Sequence, residues 1–241
     1  MSTAVKPTRR EERRLQTVQE IKHLAMQQIS EGGPDAVSLS GIVREMSMSP
    51  AAVYRYFANR DALLADLVVD AYDDLADHLG SLVREDASAE NRLDAVLRGT
   101  REWAREHPNS YRLIFQTDIG SGKDFARERT VPASSRSMAV IVEALTAVTL
   151  LHAPESSTPQ QRNSAEITQA IEQWADQAGL ADFSADVLVL GFLTWTRLHG
   201  IISLVLGGHL AATGLGADVL FEAETRLIKS LAAQMPPAVD A

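Results

Sequence analysis

The sequence predicts an all-α protein in which a small three-helix head precedes a larger helical body. No segment alternates apolar and polar residues as a half-buried strand does, and nearly every long segment repeats its apolar residues at helical spacing. The size and balance of the chain agree: 241 residues, 45% hydrophobic and 23% charged, suffice to bury a substantial core as one domain or two unequal ones.

The first helix is expected from about Glu12 to Ser30, with Val18, Ile21, Ala25 and Ile29 on one face and Gly32-Gly33-Pro34 ending it. A second opens at Ser38, whose hydroxyl can cap it, and buries Leu39, Ile42, Val43 and Met46. After a turn at Ser47-Met48, Ser49 is placed to cap a third helix of about two turns with Pro50 at its first position. Asn59 then caps a long helix from about Arg60 to Arg84, where Leu63, Leu64, Leu67, Val68, Ala71 and Leu75 recur with helical period.

The body continues with helices near Glu90 to Glu106 and Asn109 to Gln116, divided by Pro108. A Gly/Asp/Ser loop at Asp118 to Lys123 precedes a helix around Ser134 to His152, and Ala153 to Pro159 is a loop by composition. Helices follow at about Gln160 to Gln177, Ser184 to Leu206 and Gly216 to Met235, and the Pro-Pro end is expected to fray.

Composition removes several function classes. The chain has no cysteine, which excludes a disulfide framework, a thiolate zinc site and a cysteine nucleophile. Six histidines are present, but no His-Glu-x-x-His motif gathers them for metal. No Walker loop, dinucleotide glycine fingerprint or Gly-x-Ser-x-Gly elbow occurs, so no cofactor is expected and an all-α enzyme is the weakest reading. Met1 to Arg14 lacks an apolar h-region, so a cytoplasmic location is expected. Val187 to Leu206 is about as long as a bilayer span, yet Arg197 and His199 near its middle favour a buried or interface helix over a membrane.

Net charge is −9 and unevenly distributed. Residues 1–60 hold nine Lys and Arg against six carboxylates, a balance of +3, which leaves −12 for residues 61–241. A positive head on an acidic body presents one face to a polyanion and repels it elsewhere.

The segment SLSGIVREMSMSPAAVYRYF, residues 38–57, contains two short capped helices about three residues apart, which is helix-turn-helix spacing. Such a pair stands its second helix in the major groove while the first braces on the backbone. The small Pro50-Ala51-Ala52 lets that helix approach closely, Tyr54, Arg55 and Tyr56 supply donors, and Val53 and Phe57 face the core. Each also has a plainer explanation: serines as caps, tyrosines as half-buried aromatics with wet hydroxyls, arginines as solvated charges.

The run from Ile21 to Leu64 resembles the tetracycline-repressor (TetR) family in its amphipathic helix, Gly-rich bend, SPAAVYRYF recognition segment and NRDALL start of the fourth helix. The resemblance implies double-stranded operator DNA as partner and contacts from Ser38, Ala51, Ala52, Tyr54, Arg55, Tyr56 and Arg60, and Ser40, Arg44 and Ser49 on the same helix pair complete the candidate contact set. Two positions depart from the family pattern: Ser47 stands where a glycine is usual, in a turn expected to need the left-handed conformation, and Arg60 stands where lysine is commoner.

WAREHPNSYRLIF at 103–115 and WTRLHG at 195–200 resemble the Trp-x3-His-Gly body of one subgroup of that family. It implies a small-molecule inducer of lipophilic character between the middle helices and a homodimer through helices near 184–206 and 216–231. Trp103, Tyr111, Phe115, Trp195 and His199 are the candidates to line the pocket, although core packing explains them equally well. The implied organisation is a flexible basic arm at 1–15, a helix-turn-helix head at 16–60, a ligand-binding and dimerisation body at 61–235 and a frayed tail at 236–241. A ligand-responsive repressor is the leading expectation, with a helical DNA-binding scaffold that takes no ligand as the alternative.

Overall fold

The computed structural model describes residues 8–116, 123–152 and 163–235. Among these residues there are ten α-helices and two 3-10 turns, with no strand. Residues 1–7 of the expected arm, the proposed loops at 118–122 and 153–159, and the Pro-Pro end lie outside the described residues. Two compact units are present, one reaching to Val68 and including Asn109 to Arg127, the other holding the remainder.

In the first unit, helix α1 spans Arg9–Gly32 and begins three residues earlier than the apolar pattern predicts, inside the segment expected as an arm. Its cause is a capping box: Thr8 Oγ1 accepts from the Glu11 amide at 3.3 Å, and the Glu11 carboxylate accepts from the Thr8 amide at 2.7 Å. These bonds satisfy donors that a helix start leaves open, so the polar first turns stay helical without an apolar face. Gly33, at φ 78°, ends α1 and leads into a 3-10 turn at Pro34–Ala36.

Helix α2, Leu39–Glu45, and α3, Pro50–Val53, follow. Helix α4, Arg60–Leu82, starts where the Asn59 side chain accepts from the Ala62 amide at 2.8 Å. Ile21, Ala25, Ile42, Val53, Leu63 and Leu64 are buried together with Phe57. Each fully buried Ile, Leu or Val side chain among them contributes about 1.5–3 kcal/mol. Helix α6, Pro108–Gln116, supplies buried Tyr111 and Leu113.

The second unit is built from the remainder of α4, α5 (Ala89–Glu106), α7 (Lys123–Leu151, from residue 128), α8 (Ala165–Ala178), α9 (Ala185–Leu206) and α10 (Ala217–Ala233). Helix α7 starts eleven residues before the expected Ser134 and carries Pro132 inside it. Pro132 is exposed, so water can serve the carbonyl that loses its amide partner there, and the helix continues. Helix α8 starts at Ala165, capped by Ser164, rather than near Gln160. Two helical stretches, Glu128–Leu151 and Ala185–Leu206, are long and apolar enough to cross a membrane by length and composition, with 50% and 44% of their apolar windows buried inside the protein. In α9 the charge nearest the middle, Arg197, is paired with Glu224 of α10 at 2.8 Å.

Candidate nucleic-acid interface

Helix α2 is fixed at both ends by local hydrogen bonds. The Ser38 hydroxyl accepts from the Gly41 amide at 3.2 Å, and the Ser38 amide donates to the Gln28 side chain of α1 at 2.8 Å. At the far end, the Met48 amide bonds the Val43 carbonyl at 3.1 Å and the Ser47 amide bonds that of Arg44 at 3.3 Å, the paired pattern of a Schellman stop. Ser47 takes φ 52°, the left-handed conformation expected where a glycine is missing, and among the described residues no other non-glycine has positive φ.

The following helix is shorter than the run from Ser49 to Phe57 that the sequence suggests. Regular α-helix covers Pro50–Val53, and turns carry the chain through Tyr56. The Tyr56 and Phe57 amides both turn back to the Val53 carbonyl, at 2.9 and 3.2 Å. The coil tightens there because Phe57 enters the core and Asn59 must start α4 two residues later. Ser49 holds the N-cap position but its side chain makes no capping bond, a correction to the sequence expectation. The Ala52 amide that a capping hydroxyl would serve is already taken by the Ser49 carbonyl at 2.9 Å.

Burial then sorts the segment into two sides. Val53 and Phe57 are buried, whereas Ser40, Arg44, Ser49, Ala51, Tyr54 and Arg55 are exposed and Ser38, Ala52, Tyr56 and Arg60 are half-buried. Tyr54 is 49% exposed, high for an aromatic side chain with Val53 wholly buried beside it. Arg60 is partly committed: its guanidinium donates to the Pro34 carbonyl at 2.7 Å and pairs with Asp35 at 3.2 Å. It therefore braces the turn after α1, and its other terminal nitrogen lies 3.6 Å from the Asp61 carboxylate.

The basic segment Met1 to Arg14, a further candidate for phosphate or minor-groove contact by its charge, is helical from Arg9 and borders this surface. A cleft of about 1090 Å³ is lined on one side by Arg9, Arg10, Arg13 and Arg14 of α1 and on the other by Ala52, Arg55 and Tyr56. The Thr8-x-x-Glu11 capping box was the available signal, since it makes the four arginines helical and gives them a common face.

The chain matches the model for bacterial regulatory proteins of the tetR family over residues 21–67 and the tetracyclin repressor-like C-terminal domain over residues 93–228. The chain belongs to the TetR family of transcriptional regulators. It is therefore a DNA-binding regulator and not an enzyme. An HTH-type transcriptional regulator of Mycobacterium tuberculosis is 31% identical over 235 residues, covering 94% of this chain and 96% of that one. The crystal structure of the regulatory protein SCO4313 is 32% identical with a TM-score of 0.72, covering 92% of this chain and 98% of that one. The transcriptional regulator FadR from Bacillus subtilis, solved with stearoyl-CoA, shares the fold at 14% identity and a TM-score of 0.57, covering 88% of this chain and 97% of that one.

The five aromatic and histidine candidates of this TetR-family regulator's body lie on α5, α6 and α9. Trp103 is buried and donates its indole N–H to Asp74 at 2.8 Å. Tyr111 and Phe115 meet at a tilt in the first unit, centroids 4.9 Å apart. Trp195 and His199 meet edge to face at 4.8 Å on α9, in a run that continues through Phe192 to Trp174 of α8. Phe192 and Trp174 were not singled out from the sequence. Burial pushes the His199 imidazole down to about 4, so it is neutral at physiological pH. Two body cavities are lined by other residues: about 220 Å³ beside Arg98, Arg101 and Phe221, and about 50 Å³ beside Thr146, Phe183 and Val187.

Proposed function

We propose that this regulator is a homodimeric repressor that residues 16–60 hold on a near-palindromic operator and that a lipophilic small molecule, bound by residues 61–235, releases. The observation that carries the DNA-reading half is the sorting of the recognition segment, with Val53 and Phe57 buried and Ala51, Tyr54 and Arg55 exposed. In this reading Ala51 and Ala52 approach base edges, and Ser38, Ser40, Arg44, Ser49, Tyr54, Arg55, Tyr56 and Arg60 bond phosphates or bases. Two such segments in a dimer enter successive major grooves, roughly 34 Å apart.

Helices α9 and α10 are the proposed dimer contact, because each leaves apolar residues open on one face: Leu193 and Leu204 of α9, 48% and 42% exposed, and Val219 and Leu227 of α10, 65% and 41% exposed. The aromatic run from Trp174 to His199 is the proposed wall of the inducer site. The second reading is a DNA-binding scaffold that takes no ligand, and the two cavities described in the body, about 220 and 50 Å³, are each smaller than a usual ligand site.

Selection of bound fragments from a random duplex pool tests the head. A two-fold symmetric motif with half-sites about one helical turn apart, lost with Tyr54→Ala and Arg55→Ala, is the expected result. Binding unaffected by either substitution ends the contact assignment. For the body, thermal-shift titration with long-chain acyl-CoA, prompted by the ligand FadR holds, and with other lipophilic compounds separates inducer from scaffold. A ligand that raises the melting point and also dissociates the operator complex supports the repressor, and operator binding indifferent to every stabilising compound supports the scaffold.

A further inference from the structure

We infer that the first two turns of α1 form a second, sequence-independent clamp on duplex DNA, gripping the backbone strand that borders the groove entered by the recognition segment. The inference rests on the DNA-reading function proposed above and extends the contact surface beyond the helix-turn-helix.

Four arginines of α1, at positions 9, 10, 13 and 14, share one cleft with Arg55 and Tyr56 of the recognition segment. All five arginines are exposed. The cleft's one carboxylate, Glu11, is turned back onto Thr8, accepting from its amide at 2.7 Å and its hydroxyl at 2.9 Å, and these bonds hold its carboxyl below the usual range. Those bonds come from uncharged groups, so its charge stays in the cleft, where five arginines still outnumber it. Arg14 lies over the Tyr56 ring, 5.7 Å from the centroid, which sets the α1 face beside the recognition segment.

A cleft with this excess of guanidinium and so few carboxylates fits a polyanion. Phosphate is the natural partner for the planar guanidinium fork, and DNA is the polyanion this family binds. Arg9 to Arg14 rise about 7.5 Å along the helix, while phosphates on one strand recur at about 3.4 Å along the duplex axis, so the row can engage two of them. Since Ala52 and Arg55 lie on both the cleft and the recognition surface, the two contacts are continuous and bear on the same duplex.

The test compares the full-length protein with Arg10→Ala/Arg13→Ala on the selected operator and on unrelated duplex, by fluorescence anisotropy across a salt series. Each phosphate contact adds about 0.9 to the slope of log affinity against log salt, so losing two lowers it by about 1.8. Between 50 and 200 mM salt that is about a tenfold gentler loss of affinity in the variant than in the wild type, alike for operator and unrelated duplex, with base preference unchanged. Arg10→Gln/Arg13→Gln guards against a folding loss, and hydroxyl-radical footprinting should show backbone protection outside the half-site in the wild type alone. Equal slopes and equal footprints in a wild type and variants that all bind operator overturn the clamp while leaving the DNA-reading function intact. A wild type that selects no duplex at all overturns both.

Discussion

Lys22 of α1 and Asp66 of α4 form an ion pair at 2.9 Å with side chains only 10% and 19% exposed. The pair ties the opening helix to the long one, so its loss is felt across the whole three-helix head. Removing one partner leaves the other charge partly buried without its counter-ion, and Lys22→Met is expected to cost about 3 kcal/mol in urea unfolding. The double variant Lys22→Met/Asp66→Leu should recover most of that loss. A single variant as stable as the wild type contradicts the assignment of Lys22 as a structural charge.

Ser47 at φ 52° sits where the turn between α2 and α3 stops the helix. A side chain in the left-handed region costs about 1 kcal/mol, part of which glycine gives back through its freer unfolded chain. Ser47→Gly is therefore expected to stabilise by about 0.5 kcal/mol, and Ser47→Val to destabilise by more than 1 kcal/mol because branching at Cβ worsens the clash. Paired melting curves check both signs, and a stabilising valine refutes the account.

The head was legible because its signals are local. Asn59 capping α4, Ser38 capping α2 and the left-handed Ser47 are each decided within four residues, and all appear as the sequence suggests. Ser49 fails as a cap for a reason that only the backbone shows, the Ser49 carbonyl having already taken the Ala52 amide. The early start of α1 was readable in Thr8-x-x-Glu11 but was hidden by reliance on apolar periodicity, which a solvated first turn does not display. The body was less readable because its candidates depend on which helices meet. Trp103 spends its indole on Asp74, while Trp195 joins Phe192 and Trp174, a grouping set by the packing of α8 on α9 and absent from any short window.

The half-buried imidazole of His199 shapes the acid side of the stability profile. Its folded value lies near 4 while an unfolded histidine titrates near 6.5, so between those values the unfolded chain holds the extra proton. Stability should fall as pH drops through this window and level off, for this group, below about 4. Asp94 adds its loss at lower pH: burial raises its carboxyl, but hydrogen bonds and charge from Arg98 and Lys229 outweigh that and hold it below the ordinary range. His199→Gln should flatten the melting temperature between pH 6.5 and 4.5 and leave the steeper decline below it. An unchanged profile in that variant means the imidazole is not the titrating group.

Val219 of α10 is 65% exposed, and Leu227, two turns further on the same face, is 41% exposed. Across on α9, Leu193 and Leu204 are similarly open, and Gly200 between them has no heavy atom within 4 Å of an added Cβ. A partner helix could approach closely over that glycine, burying a stripe that water otherwise covers. Val219→Glu places a charge on the stripe while disturbing little inside one protomer. The variant should sediment as a folded monomer with unchanged far-ultraviolet dichroism, and its affinity for a two-half-site operator should fall about a hundredfold as the second contact ceases to be intramolecular. Its binding to an isolated half-site should stay as it was. If Val219→Glu remains a dimer with full operator affinity, the copies meet through some other face, and the exposed stripe needs a different partner.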